Sequence, residues 1–324
     1  MSTTTSTKPS AESRASDVVA LGTPGPDVAQ ISRRALIWRR FRSHRMAVVG
    51  SVILLLLIAY VISGSLIFTE DYANDTNLRN RWQPPSAEHP FGTDSVGRDV
   101  LARTIYGGQI SLAIAALSVT VTSLIGTLLG LLAGYFGGWI DSLVMRTAEA
   151  LMSIPLLFLL LVLSRTFSES LPDFRVFGRE LSGSVVVMIL IIGFTGWMQL
   201  ARIVRANTLS IKQRGYVLAA RGLGAGSLRV MIQHVLPNTA APVIVFATLG
   251  VSAAILLESY VSFLGFGVLP PTASWGNMLQ RSVERIDSAP WLWFFPGILT
   301  LLTVISVNFI GDGLRDALDP ESQR

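Results

Sequence analysis

Six long apolar runs constrain the fold of this chain more than any other feature of its sequence. A helix needs about 20 residues to cross about 30 Å of hydrocarbon, and each run approaches or exceeds that length with few or no charges. The runs lie at residues 46–68, 107–140, 142–164, 184–201, 238–267 and 291–311. Since half of the 324 residues are hydrophobic, we predict an all-α polytopic membrane protein with six transmembrane helices.

Arginines on the N-terminal side of the first run predict its orientation. The segment ISRRALIWRRFRSHR, residues 31–45, is strongly basic, and lysine and arginine mark the cytoplasmic flank of a span. Six spans then place both termini in the cytoplasm, together with the basic segment 202–236. The same bias accounts for the net charge of +5, so we expect membrane lipid and no nucleic acid around these residues.

The pattern divides the chain into four segments. Residues 1–30 are rich in Ser, Thr, Pro and Gly and are predicted to be a disordered cytoplasmic tail. Residues 31–106 hold the basic segment, an external loop and the first span, which is too long for a cleaved signal peptide. Residues 107–312 form a five-helix transmembrane domain that includes the cytoplasmic loop 202–236, and residues 313–324 form a cytoplasmic tail.

Three glycines recur every four residues in the second predicted span. Gly126, Gly130 and Gly134 therefore share one face of the helix. Small residues on one face let a second helix approach closely. We predict a tight helix contact along this face.

The basic loop contains the stretch YVLAARGLGAGSLRVMIQHVLPN, which begins at Tyr216. Helix-forming residues precede Gly224 and Gly226, which can adopt positive φ and stop a helix. Ser227 can then cap a second short helix, and Pro237 marks the start of the fifth span. A phosphate cradle is disfavoured, because GLGAG lacks the Lys-Ser/Thr of a P-loop and follows no strand. We predict a short helix, a turn and another short helix.

Two further stretches carry charges, one beside a predicted span and the other within one. In HPFGTDSVGRDV, Asp94 can cap the backbone that follows it, while Arg98 and Asp99 place charges at a membrane edge. In LESYVSFLGFG, Glu258 lies within a span, where a charge costs on the order of 3 kcal/mol unless it faces protein or water. We expect Glu258 in the bundle interior or the outer vestibule, where it either contacts substrate or holds a neighbouring helix.

Enzymes and autonomous channels are two competing classes of function. The chain has no cysteine and neither an HExxH nor a GxSxG motif, and its three histidines share no face of a span. A channel or secondary transporter would need a selectivity filter or a broken-helix ion site, and no TVGYG-like loop is present. We therefore predict no catalytic residue and no metal site.

The spacing within the loop resembles the EAA motif of ABC importer permeases. That motif consists of Glu-Ala-Ala, three residues, Gly, nine residues, a hydrophobic position, one residue and Leu-Pro. The matching positions are Ala219, Ala220, Gly224, Leu236 and Pro237. Leu218 stands where the motif has Glu, and His234 stands where it has an aliphatic residue, so the chain lacks the carboxylate but keeps the spacing.

Three other sequence motifs are similar to motifs of the C-type permease subunit of dipeptide and oligopeptide ABC importers. They are GTD followed by GRD, SFLG followed by a Pro-Pro pair and SWG, and the terminal GDGLRDALDP. With the loop, the resemblance extends in matching order from about Met46 to Pro320. It implies the fold of a type I ABC importer permease in the bacterial cytoplasmic (inner) membrane.

The resemblance also implies that the chain works as one subunit of a larger transporter. Its partners would be a second permease subunit, one or two cytoplasmic ABC ATPases and an extracytoplasmic substrate-binding protein. No cofactor is expected in this chain, because ATP and Mg²⁺ would be bound by the ATPases. Peptide is the favoured substrate, and the alternatives are nickel or another metal chelate and glutathione.

Roles for individual residues follow from the same resemblance. In the family, the loop is a coupling helix that docks in a groove of the ATPase. The implied coupling residues are Tyr216, Leu218, Ala219, Ala220, Arg221, Gly224, Arg229, Leu236 and Pro237. The implied residues of the translocation pathway or outer gate are Glu258, Ser262 and Trp275, and those of the external motif are Asp94, Arg98 and Asp99.

Overall fold

The computed structural model describes residues 33–168, 170–176 and 179–319. The predicted disordered tail, residues 1–30, lies outside the described residues. The α-helices of the described part are α1 (Arg33–Ser43), α2 (Arg45–Ile67), α3 (Glu70–Asn74), α4 (Val100–Phe136), α5 (Gly138–Met152), α6 (Leu156–Phe167), α7 (Gly183–Ile211), α8 (Gly215–Gly222), α9 (Ser227–Val230), α10 (Leu236–Phe263), α11 (Trp275–Gln280) and α12 (Trp291–Leu318). Two short strands, β1 (Phe174–Val176) and β2 (Arg179–Leu181), pair antiparallel between α6 and α7.

Among the residues that the structure describes, five helical stretches are long and apolar enough to cross a membrane. They are α2, α4, α7, the stretch Ser227–Phe263 that joins α9 to α10, and α12. The helices α5 and α6 meet the same test together, as a pair bent by 89°. The six predicted spans therefore correspond to five continuous stretches and one bent pair.

The bend lies at Pro155, inside the apolar run 142–164. The α5 helix ends at Met152, and α6 begins immediately after the proline. Pro155 has no N–H to donate and disfavours helical backbone at Ile154, so the helix cannot continue straight. The run therefore does not form one straight helix.

The α4 helix is 37 residues long, which corresponds to about 55 Å. The Asp99 side chain caps its first turn by accepting a hydrogen bond from the Ala102 N–H at 2.8 Å. Gly137 ends it with a φ of +68°. Because α4 begins at Val100, the boundary predicted between residues 106 and 107 lies inside this helix. These two caps define the Asp99 end and the Gly137 end of the molecule.

The glycine face of α4 packs on α7, which confirms the predicted tight helix contact. A Cβ atom at Gly126 would lie 2.8 Å from Cβ of Leu200, and one at Gly130 would lie 2.6 Å from the carbonyl oxygen of Ala201. Neither position has room for a side chain. The two helices therefore approach each other at backbone distance.

The main apolar core lies between α4, α7 and α10. Its fully buried members include Ile114, Met188 and Ile255. The α2 helix packs outside this core, because Gly50 contacts α12 and Gly64 contacts α4. These contacts show that α2 is antiparallel to α4. The basic N-terminus of α2, together with α1, therefore lies at the Gly137 end.

Candidate functional site

The loop between α7 and α10 forms the helix pair that the sequence predicts. The α8 helix is followed by a turn at Gly224, and α9 continues through a π-helical turn, Met231–Val235, into α10. Gly224 has a φ of +88°, which confirms its role as a helix stop. The positive φ predicted for Gly226 and the cap predicted for Ser227 are wrong. Gly226, with a φ of −66°, itself occupies the cap position of α9, because the turn needs only one left-handed residue.

One face of this loop is buried against the Gly137 ends of α4 and α7. The cluster consists of Val217, Val230, Met231 and Val235 from the loop and Leu131, Tyr135, Leu200, Val204 and Ile211 from the two helices. Lys212 adds a hydrogen bond from Nζ to the Gly134 carbonyl oxygen at 2.7 Å. The loop is therefore fixed to two long helices by apolar contact and by a capped helix end.

The opposite face of the loop presents large apolar side chains to solvent. The Leu223 side chain is 90% exposed. The loop patch consists of Tyr216, Leu218, Leu223, Leu228 and Ile232, all of them exposed. Apolar side chains grouped on a basic surface are typical of a site that another protein covers. Leu228 and Ile232 are not among the predicted residues, although their i, i+4 spacing places them on one helix face.

The remaining predicted coupling residues lie on the patch or beside it. Ala219, Arg229 and Pro237 are exposed, Leu236 is 37% exposed, and Ala220 is half-buried. Arg221 is also exposed, but its guanidinium lies over the Tyr135 ring of the same chain, 4.7 Å from the centroid. The coupling role of these residues stays a prediction.

At the Asp99 end, a buried carboxylate joins three parts of the chain. Glu258 on α10 accepts hydrogen bonds from Ser111 of α4 at 3.0 Å and from Ser262 at 2.8 Å. Ser111 Oγ accepts from the Trp275 backbone N–H at 3.2 Å, and Ser262 Oγ accepts from the Val268 N–H at 3.1 Å. The carboxylate therefore orients two hydroxyls that in turn hold the segment leading into α11.

The three residues predicted for the pathway or outer gate are thus in one place, and all are buried. Glu258, Ser262 and Trp275 are 0%, 1% and 0% exposed within this chain. The contacts of Glu258 match the alternative in which it holds a neighbouring helix. Its part in the pathway stays a prediction. Ser111 was not predicted, because a single serine within an apolar run does not by itself indicate a functional residue.

The external motif forms internal contacts instead of presenting charges. Asp94 accepts hydrogen bonds from the Val96 and Arg98 backbone N–H groups at 2.9 and 3.0 Å and from Arg98 Nε at 2.7 Å, which confirms the predicted cap. Asp99 caps α4 and contacts His89 Nδ1 at 2.8 Å. Asp94, Arg98 and Asp99 are all buried.

A cavity of about 310 Å³ opens at the bend between α5 and α6. Residues of α4, α7 and α10 complete its wall, among them Thr122, Thr195, Gln199 and Gly250. Within the described residues, its lining consists of apolar and uncharged polar side chains, and none of them is ionisable. The cavity can therefore hold a mainly neutral ligand of moderate size.

Two family models match this sequence. The model described as "Binding-protein-dependent transport system inner membrane component" matches residues 126–324. The model described as "N-terminal TM domain of oligopeptide transport permease C" matches residues 32–85. The two matches include α2, the glycine face of α4, the bent pair and the loop.

Curated relatives match over nearly their whole length. The chain is 42% identical over 286 residues to a "Putative peptide permease protein" of Brucella suis, covering 88% of this chain and 90% of the relative. Identity is 37% over 303 residues to the "Oligopeptide transport system permease protein OppC" of Bacillus subtilis, covering 92% and 94%. It is 40% over 289 residues to the "Dipeptide transport system permease protein DppC" of the same organism, covering 89% and 85%.

Proposed function

Because the chain belongs to the family of binding-protein-dependent transport system inner membrane components, we propose that it is a permease subunit of an ATP-driven peptide importer. It is a transport subunit and not an enzyme, with the all-α type I permease fold that the sequence predicts. Peptide is the proposed substrate class because the oligopeptide and dipeptide permeases are similar over most of this chain. The chain would form half of the pathway, and a second permease subunit would form the rest.

The observation that carries this proposal is the loop patch on its anchored loop. An ABC ATPase with an apolar groove and an acidic rim would cover these side chains while meeting the arginines of the loop. ATP and Mg²⁺ would be bound by that ATPase and not by this chain. Its closure would move the loop, and the buried cluster would pass the movement to α4 and α7 because both helices pack directly on it.

The distribution of basic residues supports a cytoplasmic position for the Gly137 end. Exposed arginines of α1 and α2, among them Arg39 and Arg42, lie at the same end as the loop arginines Arg214 and Arg221. Lysine and arginine concentrate on the cytoplasmic side of membrane proteins. Both chain termini would then be cytoplasmic, and the extracytoplasmic substrate-binding protein would dock at the Asp99 end.

The neutral cavity at the bend suits the passage of peptides with varied side chains. Thr122, Thr195 and Gln199 can hydrogen bond to a peptide backbone, whereas no ionisable group of the lining would select one charge. Selection among peptides would therefore rest mainly with the substrate-binding protein. In this arrangement, α10 forms one wall of the pathway, and Glu258 supports that wall from behind.

The proposal is tested with cells that lack this chain, complemented with wild type or with Leu223→Asp. The variant places a charge at the most exposed apolar side chain of the patch, and we expect labelled di- to pentapeptide uptake to fall by about tenfold or more. Gln213→Asp, a charge on an exposed position of the same loop outside the patch, is expected to leave uptake near wild type.

Two results would contradict the proposal. Equal uptake by wild type and Leu223→Asp at equal membrane levels would remove the docking role of the patch. Nickel uptake that depends on this chain, without dependent peptide uptake, would replace peptide with the metal-chelate alternative.

A further inference from the structure

A small cavity at the Asp99 end is lined by three arginines from distant parts of the sequence. It has a volume of about 20 Å³ and lies between the external motif, α4, α11 and the start of α12. Arg98, Arg103 and Arg281 line it together with Asp94 and Asn277. We call it the arginine cavity. Its volume suffices for about one water-sized species.

The charges around the arginine cavity do not balance. Within the described residues, the lining holds the buried guanidinium groups of Arg98 and Arg103, the more exposed guanidinium of Arg281 and one carboxylate, that of Asp94. Asp99, the other acid of the external motif, does not line the cavity; it caps α4 and contacts His89. Buried cations are costly unless an anion pairs with them, so this excess calls for a further negative charge.

Two of the three arginines are almost completely removed from solvent. Arg98 is 6% exposed and Arg103 is 4% exposed. Among the described residues, the Arg103 side chain hydrogen bonds only to an uncharged group, Asn74 Oδ1, at 2.9 Å. Its charge therefore has no direct counterion among the residues that the structure describes.

Two arginines of the cavity have guanidinium N–H groups that make no hydrogen bond among the described residues. Arg98 pairs with Asp94, because Nε donates to Oδ2 at 2.7 Å and Nη2 lies 2.6 Å from the same oxygen. Nη2 is buried and makes no hydrogen bond of good geometry among the described residues, so its N–H groups can still donate to an anion in the cavity. The Arg281 side chain is more exposed and has no hydrogen-bond or ion-pair partner in the described part of the chain. Partial burial, and then the charge of Arg98, lower the pKa of Arg281.

We propose that the arginine cavity binds one small monovalent inorganic anion of the chloride class. A single-atom anion fits the volume, neutralises part of the excess charge and accepts hydrogen bonds from several guanidinium groups at once. Phosphate and sulfate are too large for a cavity of about one water. The anion would join Arg98 of the external motif to Arg103 of α4 and Arg281 after α11, and would thereby stabilise the Asp99 end.

The test uses the full-length chain in the purified, assembled importer in lipid nanodiscs. Thermal unfolding is measured in sodium chloride and in sodium gluconate at equal ionic strength, because gluconate is too large for the cavity. For wild type we expect a midpoint about 2 to 4 °C higher in chloride, and a similar rise in bromide. Arg281→Gln should lose this rise, since it removes the exposed arginine of the cavity.

Arg285→Gln serves as the matched control. Arg285 lies four residues away, over the Trp82 ring and outside the cavity, so its variant should keep the chloride effect. Equal midpoints for wild type in chloride and gluconate would assign water to the cavity and overturn the proposal. An equal chloride effect in wild type and Arg281→Gln would do so too, by placing the halide elsewhere. Stabilisation by acetate but not by halides would also overturn it, in favour of a carboxylate from a partner protein.

Discussion

The two ends of α4 differ in which side chains are exposed and which are buried. At the Gly137 end, the loop patch leaves five large apolar side chains in solvent, among them Leu223. At the Asp99 end, charged and polar side chains such as Glu258 and Asp94 are buried and hydrogen bonded within the chain. Exposed apolar surface is stabilised when a partner covers it, whereas buried polar networks hold one arrangement. The first end is therefore suited to docking and movement, and the second to rigid support.

The ion pairs of the two ends show the same contrast. The side chains of Arg98 and Asp94 are 8% and 11% exposed, whereas those of Arg205 and Asp141, near the Gly137 end, are 32% and 21% exposed. Breaking a buried pair leaves an uncompensated charge in a poorly solvated site, while a half-exposed pair regains water. The same substitution at the two ends should thus have very different costs.

The largest predicted effect follows from removing the one carboxylate of the arginine cavity. Asp94→Ala leaves Arg98 buried without its acid and removes the cap of the external motif. We expect the free energy of unfolding to fall by about 3–5 kcal/mol. Asp141→Ala at the opposite end should cost about 1 kcal/mol. Thermal or denaturant unfolding of the assembled importer in nanodiscs measures both.

Asp94→Asn refines this result, because the amide oxygen can still accept the backbone N–H bonds of Val96 and Arg98. A loss of unfolding free energy between those of wild type and Asp94→Ala would separate the contribution of the backbone cap from that of the negative charge. Similar losses for Asp94→Ala and Asp141→Ala would break the contrast between a rigid end and an adaptable one.

A second prediction concerns the buried carboxylate of α10. Glu258→Ala removes the acceptor of the Ser111 and Ser262 hydroxyls and leaves a void, so we expect a loss of about 3 kcal/mol in unfolding free energy. Glu258→Gln keeps the size and an acceptor oxygen and should retain most of the stability. Unfolding of each variant is measured beside labelled-peptide uptake.

The two variants also separate the alternatives for Glu258. If it holds a helix, Glu258→Gln leaves the KM for peptide unchanged, which is the result we expect. A raised KM with wild-type stability would instead place the carboxylate in contact with the peptide.

The sequence predicted the elements of this fold far better than the pairing of its charges. The lengths of the apolar runs predicted the spans, and the four-residue spacing of the glycines predicted the α4–α7 contact, because both depend on local sequence pattern. Local turn chemistry likewise gave Gly224. The arginine cavity was not predicted, because Arg103 and Arg281 meet only after α4 and α11 have packed. The burial of Glu258 was expected from the cost of its charge, but its partner Ser111 depends on tertiary contact.

The last prediction concerns Gly224, where we expect a small change in global stability and a clear change in transport. Nothing lies within 4 Å of a Cβ atom built there, so only its φ of +88° opposes a side chain. A β-branched residue strains that backbone, and Gly224→Val should cost about 1–2 kcal/mol locally. Because the turn is exposed and outside the core, we expect the unfolding midpoint of the assembled importer to change little while peptide uptake falls severalfold.

Gly226→Val is the matched control, since this glycine also has open space around it but a φ of −66° that valine adopts readily. Gly224→Asn adds a second control, because asparagine tolerates left-handed backbone. Both should transport near the wild-type rate, which would assign the defect of Gly224→Val to the turn and not to added bulk. Equal uptake by all three variants would show that the turn transmits no movement, and the Gly137 end would then differ from the Asp99 end only in what covers it.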